Sequence, residues 1–218
     1  MGVPVLILGE SGSGKSASMR NFKKDEIGIF NIAGKPLPFK NDLQKWDNAT
    51  YSNIYKGLSE SEKKIFVIDD SQYLMAFEMF DRAKETGYTK FTDVALDFRN
   101  LIHYITTKSD DDVIVYMLHH TETDENGKIK AKTSGKMLDN QLTVEGLFSI
   151  VLLARTDGNR HYFETNSDGY ANIKSPMDMF EREIDNDLKF VDTAIRDYYE
   201  LNKKDKSKSN TKENKEEK

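Results

Sequence analysis

Residues 9–16, GESGSGKS, have the types and spacing of a phosphate-binding loop (the P-loop), G-x-x-x-x-G-K-[ST]. Its glycines permit positive φ angles and close backbone approach, so that successive amide groups can face phosphate oxygens. Lys15 is expected to reach the β- and γ-phosphates of ATP, and Ser16 to bind Mg²⁺. The predicted nucleotide contacts are Gly9, Glu10, Ser11, Gly12, Ser13, Gly14, Lys15, Ser16 and Ala17.

The elements around this loop are those that the motif requires. An apolar strand is predicted before it, at residues 3–8, and a helix after it, at residues 16–24. Residues 65–70, IFVIDD, supply the acid that a P-loop needs at the end of a neighbouring strand. We assign Asp69 to Mg²⁺ through water, together with Ser16.

Two further acids compete for orienting or activating the attacking water. Asp70 is the first candidate, and its alternative is a helix N-cap or a supporting acid, because a helix is predicted from Ser71. Glu10 lies inside the P-loop and is the rival candidate, with a solvated side chain as its alternative.

Two histidines end the predicted strand at residues 113–118. Ligands of open parallel sheets bind beyond the carboxyl ends of the strands, so His119 or His120 is a candidate for sensing the γ-phosphate. A structural histidine is the alternative. Strand alternation places the two side chains on opposite faces, and no further His or Cys lies at ligand spacing, so we do not expect them to bind a metal. The catalytic candidates are therefore Lys15, Asp69, Asp70, His119 and His120.

A basic segment, residues 128–136, follows a turn at residues 124–127 with hairpin chemistry. Its lysines are Lys128, Lys130, Lys132 and Lys136. Three interpretations stay open: a solvated hairpin, a loop that contacts nucleic-acid phosphates, or a finger from Lys132 or Lys136 to the γ-phosphate of a neighbouring subunit. Four aromatic residues are candidates for stacking bases, although their helical spacing is more typical of a core or a subunit interface: Phe77, Phe80, Tyr88 and Phe91.

The remaining pattern alternates strands with helices. This predicts one α/β domain over residues 1–202, with a mainly parallel sheet flanked by helices on both faces. Strands are predicted at 3–8, 27–32, 65–68, 113–118, 149–154 and 160–165, and helices at 16–24, at 71–84, after Gly87, and from Leu188 to Tyr198. Residues 33–60 are polar and aromatic, and residues 35–39, KPLPF, are expected to form an extended connection rather than a regular element.

The composition limits the classes of protein. The 218 residues carry a net charge of −5, from 32 basic and 37 acidic residues, which excludes a uniformly cationic nucleic-acid coat. Residues 203–218 hold seven lysines, four acids and no apolar residue, so this tail carries +3 and the rest −8. We expect a disordered tail that aids solubility or tethers nucleic acid or an acidic protein.

The chain has no cysteine, which excludes a disulfide framework, a zinc ribbon and a cysteine nucleophile. No apolar run reaches the roughly 20 residues of a membrane span, and the first residues do not have the pattern of a signal peptide. We therefore expect no membrane association and a cytoplasmic location.

Five segments carry a resemblance to a known family. They are VPVLILGESGSGKSAS at 3–18, FVIDDSQYL at 66–74, RAKETGYTKFTD at 82–93, HHTE with GKIKAKTSGKML within 119–138, and VEGLFSIVLLAR at 144–155. Together, over about residues 2–200, they resemble bacteriophage P-loop ATPases, the RecA-like NTP-binding proteins of the Sak group of phage recombination functions. The P-loop and Asp69 are typical of NTPases in general, whereas HHTE and TSGKML are specific to the family.

The resemblance implies a RecA-like P-loop NTPase core, ATP and Mg²⁺ as cofactors, and a homo-oligomeric ring or filament with ATP sites between subunits. It also implies single-stranded DNA handling beside a single-strand-binding protein, in the cytoplasm of the host cell. It places nucleotide contacts on residues 12–16, the metal on Asp69, and contacts across subunits on Lys132 or Lys136. The chain departs from RecA-type recombinases because no equivalent is identified for the catalytic glutamate on their earlier strand.

The expected function is ATP hydrolysis that is coupled to single-stranded DNA binding and assists recombination or annealing. Two alternatives stay open. A small-molecule or nucleotide kinase closes an arginine-rich lid over its acceptor, but residues 124–136 are lysine-rich and contain no arginine. A non-hydrolysing, nucleotide-gated interaction protein would be consistent with the missing glutamate.

Overall fold

A nine-stranded sheet forms the centre of the structure, a computed structural model that describes residues 1–134 and 143–201. Six strands run parallel in the spatial order β3 (Lys45–Asp47), β2 (Gly28–Asn31), β4 (Ile65–Asp69), β5 (Ile114–Thr123), β1 (Val3–Gly9) and β7 (Ile150–Asp157). The antiparallel strands β8 (Arg160–Glu164) and β9 (Glu183–Asp185) continue beyond β7, and β6 (Ile129–Ala131) forms a hairpin with β5.

Helices cover both faces of this sheet. Three α-helices pack on one face: α1 (Tyr51–Glu60), α2 (Gln72–Asp81) and α3 (Thr89–Lys108). The other face holds α4 (Leu188–Tyr198) and a 3₁₀ helix (Ser16–Asn21), and a second 3₁₀ helix (Val144–Leu147) precedes β7. The prediction of an α/β domain with a mainly parallel sheet between two helical layers is confirmed. The predicted tail at residues 203–218 lies outside the described residues.

The apolar run of β1 explains why this strand lies at the centre. Val5 and Ile7 belong to the core beneath α4, whereas Leu6 and Leu8 belong to the core beneath the other helices. All four side chains are fully buried, as expected for a parallel strand that is covered on both faces. The P-loop, which follows the carboxyl end of β1, therefore lies at the middle of the sheet edge.

Residues 35–39 form no helix or strand, as expected, whereas the later part of the segment 33–60, in which no element was predicted, contains β3 and α1. α1 begins with a capping box, in which Thr50 accepts from the amide of Asn53 and the side chain of Asn53 accepts from the amide of Thr50. Only Ile54 and Leu58 are buried on this helix, so its apolar pattern is too sparse to be conspicuous in the sequence.

We expect the substitution Thr50→Ala to lower the free energy of unfolding by about 1 kcal/mol, because it removes the side-chain acceptor of the capping box. Urea unfolding followed by circular dichroism measures this change. Ser59→Ala is the matched control, since the Ser59 hydroxyl is exposed near the end of the same helix. Equal stability of the Thr50→Ala variant and the wild type would contradict the cap.

The helix predicted at residues 16–24 is shorter than expected and has 3₁₀ geometry. Ser18 accounts for part of this difference, because its hydroxyl donates to the Lys15 carbonyl oxygen at 2.6 Å and competes with regular backbone hydrogen bonding. The segment also contains Ser16 and Asn21, which favour turns and caps over helix interiors.

The helix predicted after Gly87 is α3, which begins at Thr89 and buries one apolar stripe. Its buried residues are Val94, Phe98, Leu101, Ile102 and Ile105. Within residues 1–134 and 143–201, no helix combines the length and the apolar content that crossing a bilayer requires.

Candidate functional site

A pocket of about 440 Å³ lies at the sheet edge where β1 and β4 end. The parallel register places Gly9 of β1 beside His120 of β5, so the P-loop begins next to the end of β5. The pocket is lined by Ser11, Gly12, Gly14, Lys15, Ser16, Ala17, Lys35, Pro36, Pro38, Asp69, Asp70, His120 and His161. The topology therefore brings most of the predicted site residues to one place.

The P-loop has a backbone conformation that requires glycine at two positions. Gly12 has φ of +83° and Gly14 has φ of +95°, values that other residues adopt only with strain. A Cβ at Gly14 would also lie 2.9 Å from Nδ1 of His161. The loop thus turns tightly back along the sheet edge.

Lys15 is held beneath this loop. Its Nζ donates to the carbonyl oxygens of Gly9 at 2.7 Å and Glu10 at 2.8 Å, and only 5% of the residue is exposed. Burial lowers the pKa of Lys15 to about 8, so the ammonium stays largely protonated at neutral pH. The loop therefore contains a buried cation that is bound to its own carbonyl groups.

Ser16 and Asp69 are in direct contact. The Ser16 hydroxyl donates to Oδ1 of Asp69 at 2.8 Å, although the residues are 53 positions apart. Burial raises the pKa of Asp69 to about 6, against the opposing hydrogen bond from Ser16. The expectation that Asp69 ends the strand adjacent to β1 is wrong, because β5 lies between β1 and β4. The contact forms because the P-loop extends across the end of β5.

The donor set at this contact fits Mg²⁺ better than a metal held by protein ligands alone. Among the described residues, no three His, Cys, Asp or Glu side chains come together as a metal site. One hydroxyl and one carboxylate are typical of Mg²⁺, which usually takes its remaining ligands from phosphate groups and water.

Asp70 has a backbone conformation unusual for its type, with φ of +62°. Its carboxylate accepts from Lys35 Nζ at 2.9 Å and from His120 Nε2 at 3.1 Å. Burial by itself would raise the pKa of Asp70, but these hydrogen bonds outweigh it and hold the pKa at about 2. The carboxylate does not cap α2, whose N-cap residue Ser71 makes no side-chain capping bond. The ionised carboxylate of Asp70 therefore accepts hydrogen bonds from Lys35 and His120.

The two adjacent histidines have different environments. His119 is fully buried, and its Nδ1 and Nε2 lie 2.8 Å from the Ser71 hydroxyl and from the Lys132 carbonyl oxygen respectively. Burial lowers the pKa of His119 to about 4, which leaves a neutral ring whose Nε2 donates to that carbonyl. His119 does not line the pocket, whereas His120 does. Of the two predicted sensors, the structure brings only His120 to the site.

The sequence interpretation missed four residues that line the pocket, Lys35, Pro36, Pro38 and His161, of which Lys35 and His161 have polar side chains. Lys35 follows the carboxyl end of β2, and its ammonium lies over the Tyr73 ring at 5.2 Å from the centroid. His161 comes from β8, and its Nδ1 lies 3.3 Å from the Ser13 carbonyl oxygen. Lys35 could have been found as a cation after a predicted parallel strand, but His161 carries no such signal because β8 is antiparallel.

Of the predicted nucleotide contacts, Gly9, Glu10 and Ser13 do not line this pocket. Glu10 and Ser13 line a separate cavity of about 370 Å³ with Ala154, Arg155 and Thr156 from β7. The side chain of Glu10 is exposed, whereas the Ser13 hydroxyl is buried. Glu10 therefore does not share the pocket with Asp69 and Asp70.

The basic segment begins as a hairpin of β5 and β6. Lys130 pairs with Glu122 at 2.9 Å across the hairpin, and the Lys128 amide donates to Asp124 Oδ1 at 2.8 Å in its turn. Lys132 is exposed, and its amide donates to the His120 carbonyl oxygen at 2.9 Å. Lys136 lies outside the described residues. The hairpin thus extends from the same strand end that carries His120.

The four aromatic residues that were considered for base stacking lie on α2, at the start of α3 or just before it, and none of them belongs to the buried core. Phe80 and Tyr88 are 76% and 82% exposed, Phe77 is 43% exposed, and Phe91 is partly buried. The interpretation as core residues is therefore wrong for Phe77, Phe80 and Tyr88. Base stacking and a subunit interface stay predictions for all four aromatic residues.

The pocket combines a buried ammonium, a serine hydroxyl beside a carboxylate, and a loop with two glycines at positive φ. Such a set can bind the phosphate groups of a nucleotide together with a hard divalent cation. A scan against protein-family models finds no match for the chain, and a search of curated proteins finds no significantly similar sequence.

Proposed function

We propose that this protein is a P-loop ATPase that binds Mg²⁺ and ATP in the pocket at the ends of β1 and β4. The observation that carries the proposal is the hydrogen bond between Ser16 and Asp69. Ser16 belongs to the motif by its spacing, whereas Asp69 reaches it only through the fold. A glycine-rich turn without nucleotide function would not require an acid at this serine.

The residues of the pocket would have different roles in ATP hydrolysis. Lys15 would exchange its two carbonyl partners for phosphate oxygens, and Ser16 with Asp69 would hold Mg²⁺, which neutralises charge on the phosphates. With a pKa of about 2, Asp70 is a weak general base. We therefore assign Asp70 and His120 to positioning the attacking water.

We also infer a RecA-like core that acts on single-stranded DNA as a homo-oligomer. This part of the proposal is supported by the resemblance of the P-loop, FVIDDSQYL, HHTE and TSGKML segments to phage RecA-like ATPases, and the mainly parallel sheet between two helical layers is compatible with such a core. The lysine-rich hairpin extends from the end of β5 beside the pocket. DNA phosphates bound to the hairpin and a nucleotide bound in the pocket would therefore both contact residues at the end of β5.

The proposal predicts that single-stranded DNA raises the rate of ATP hydrolysis several-fold, on the order of 3- to 30-fold, and that this increase falls with added salt as phosphate contacts weaken. Phosphate release with and without an oligothymidine measures it, and Lys15→Ala distinguishes a contaminating ATPase. A rate that DNA does not change would refute the DNA part and leave an ATPase. Turnover that requires a nucleoside monophosphate would indicate a kinase, and tight ATP binding without phosphate release would indicate a nucleotide-gated interaction protein.

A further inference from the structure

A second, smaller cavity lies beside the nucleotide pocket. It has a volume of about 110 Å³ and is lined by Gln72, Tyr73, Ala76, His120, Lys132 and Ser134. The first turn of α2, the end of β5 and the segment after β6 form its walls. His120 lines both this cavity and the nucleotide pocket, so the two spaces share this residue.

Gln72 has a buried amide group that is only half satisfied. The residue is 6% exposed, and its Oε1 accepts from the His120 backbone amide at 3.2 Å, which defines the orientation of the amide. Its Nε2 is buried without a hydrogen-bond partner among the described residues. A buried donor of this kind is uncommon in native proteins and leaves Nε2 available to an acceptor other than the described residues, such as a bound anion.

The rest of the lining indicates the chemistry of this acceptor. Lys132 supplies an ammonium and Ser134 a hydroxyl, and none of the described residues that line the cavity is a carboxylate. Three side chains able to donate around one small space suit an anion with several acceptor oxygens. The volume corresponds to roughly three or four water molecules, which is enough for one tetrahedral oxyanion.

We propose that this cavity is a second phosphate site, in which Gln72 Nε2, Lys132 and Ser134 hold one phosphate group. The group comes either from the backbone of a nucleic acid or from phosphate that leaves the nucleotide pocket. The site goes beyond the proposed function because it does not involve the P-loop. Its occupation would reach the nucleotide pocket through His120, whose backbone bonds to Gln72 and whose ring bonds to Asp70.

The test is a titration of the full chain carrying Lys15→Ala with inorganic phosphate at constant ionic strength, followed by thermal unfolding. We expect a saturable increase in the unfolding midpoint. Adding Gln72→Glu should weaken this phosphate binding by about tenfold or more, because it replaces the donor by an anion while keeping the acceptor for His120. Gln44→Glu makes the same charge change at an exposed position and should leave phosphate binding unchanged.

A second variant tests the site without changing a buried residue, in case the Gln72→Glu variant does not fold. Lys132→Ala alters an exposed side chain and should weaken phosphate binding in the same direction as Gln72→Glu. Phosphate binding that neither substitution weakens would overturn the proposal. The titration requires no hydrolysis, so failure of the proposed ATPase function and failure of this site are separate outcomes.

Two further measurements distinguish the sources of the phosphate group, each with Gln72→Glu alone. Weaker binding of a labelled oligothymidine, with a salt slope reduced by about 0.7 per lost contact, would identify a nucleic-acid phosphate. Unchanged DNA binding together with weaker product inhibition by phosphate would identify phosphate from the nucleotide pocket. A variant that differs in neither measurement would overturn the assignment to a phosphate-bearing ligand.

Discussion

Replacing Lys15 with alanine is expected to reduce ATP hydrolysis by about a hundredfold or more, because it removes a buried positive charge from the proposed phosphate site. The ammonium lies within 2.8 Å of the carbonyl oxygens of Gly9 and Glu10, directly beneath the loop that would surround the phosphates. Steady-state phosphate release at saturating ATP and Mg²⁺ measures the loss, and equilibrium binding of a fluorescent ATP analogue shows how much of it is affinity.

The same variant should still fold. Burial lowers the pKa of Lys15 to about 8, so keeping this side chain charged at neutral pH opposes folding, and removing it offsets the loss of two hydrogen bonds. Lys56→Ala is the matched control, because Lys56 is an exposed lysine on α1, away from the pocket. A Lys15→Ala variant with the activity of the wild type would refute the assignment of the P-loop.

Replacing Asp69 with asparagine is expected to change activity and stability in opposite directions. Hydrolysis that depends on Mg²⁺ should fall on the order of 10²- to 10³-fold, because the uncharged amide holds the cation poorly. The nucleotide-free protein should become more stable at pH 7.5, by on the order of 1–3 kcal/mol. Asparagine keeps an oxygen that can accept from the Ser16 hydroxyl, so the local hydrogen bond survives.

The sign of the stability change follows from the pKa of Asp69. Burial raises this pKa to about 6 in the folded protein, above the ordinary value of 3.8, so the folded state binds the proton more tightly than the unfolded state. The stability that the protonated carboxyl contributes is complete below pH 3.8 and is lost as the pH rises through 6. Asparagine does not ionise, so its advantage should be largest above pH 6 and should shrink toward pH 4.

Urea unfolding at pH 7.5, 6 and 4.5 measures this dependence. Asp70→Asn is the internal comparison, because hydrogen bonds from His120 and Lys35 lower the pKa of Asp70 to about 2. That substitution should therefore destabilise the protein at pH 7.5, opposite to Asp69→Asn. An Asp69→Asn variant that is less stable than the wild type at pH 7.5, or that keeps full activity, would contradict the role assigned to Asp69.

The fold could be predicted from the sequence wherever one element carries a strong local pattern. The apolar run of β1 and the apolar stripe of α3 each repeat with the period of their element, so type and position follow directly. α1 was missed because its signals are a polar capping box and two buried residues, Ile54 and Leu58. The 3₁₀ geometry after the P-loop was missed because it depends on hydrogen bonds of serine side chains.

The candidate site could likewise be predicted only where its residues form a local pattern. The P-loop motif could be identified without the structure, because it is contiguous and its residue types and spacing predict its chemistry without reference to the rest of the chain. Asp69 followed as the acid at a strand end. The sequence did not show that β5 lies between the P-loop strand and the strand of Asp69. The order of strands in a sheet depends on how the whole chain folds, and no local pattern of residue types specifies it.

Which of two adjacent residues faces the pocket, and which charge it carries there, depends on the three-dimensional fold. His119 and His120 are equivalent in the sequence, but one is buried against Ser71 and Lys132 while the other bonds to Asp70. Asp69 and Asp70 are likewise identical in type, yet their pKa values move in opposite directions. The physical reason is that burial and hydrogen-bond partners come from strands and helices distant in the chain, and they appear only when the parallel strands align at one edge of the sheet.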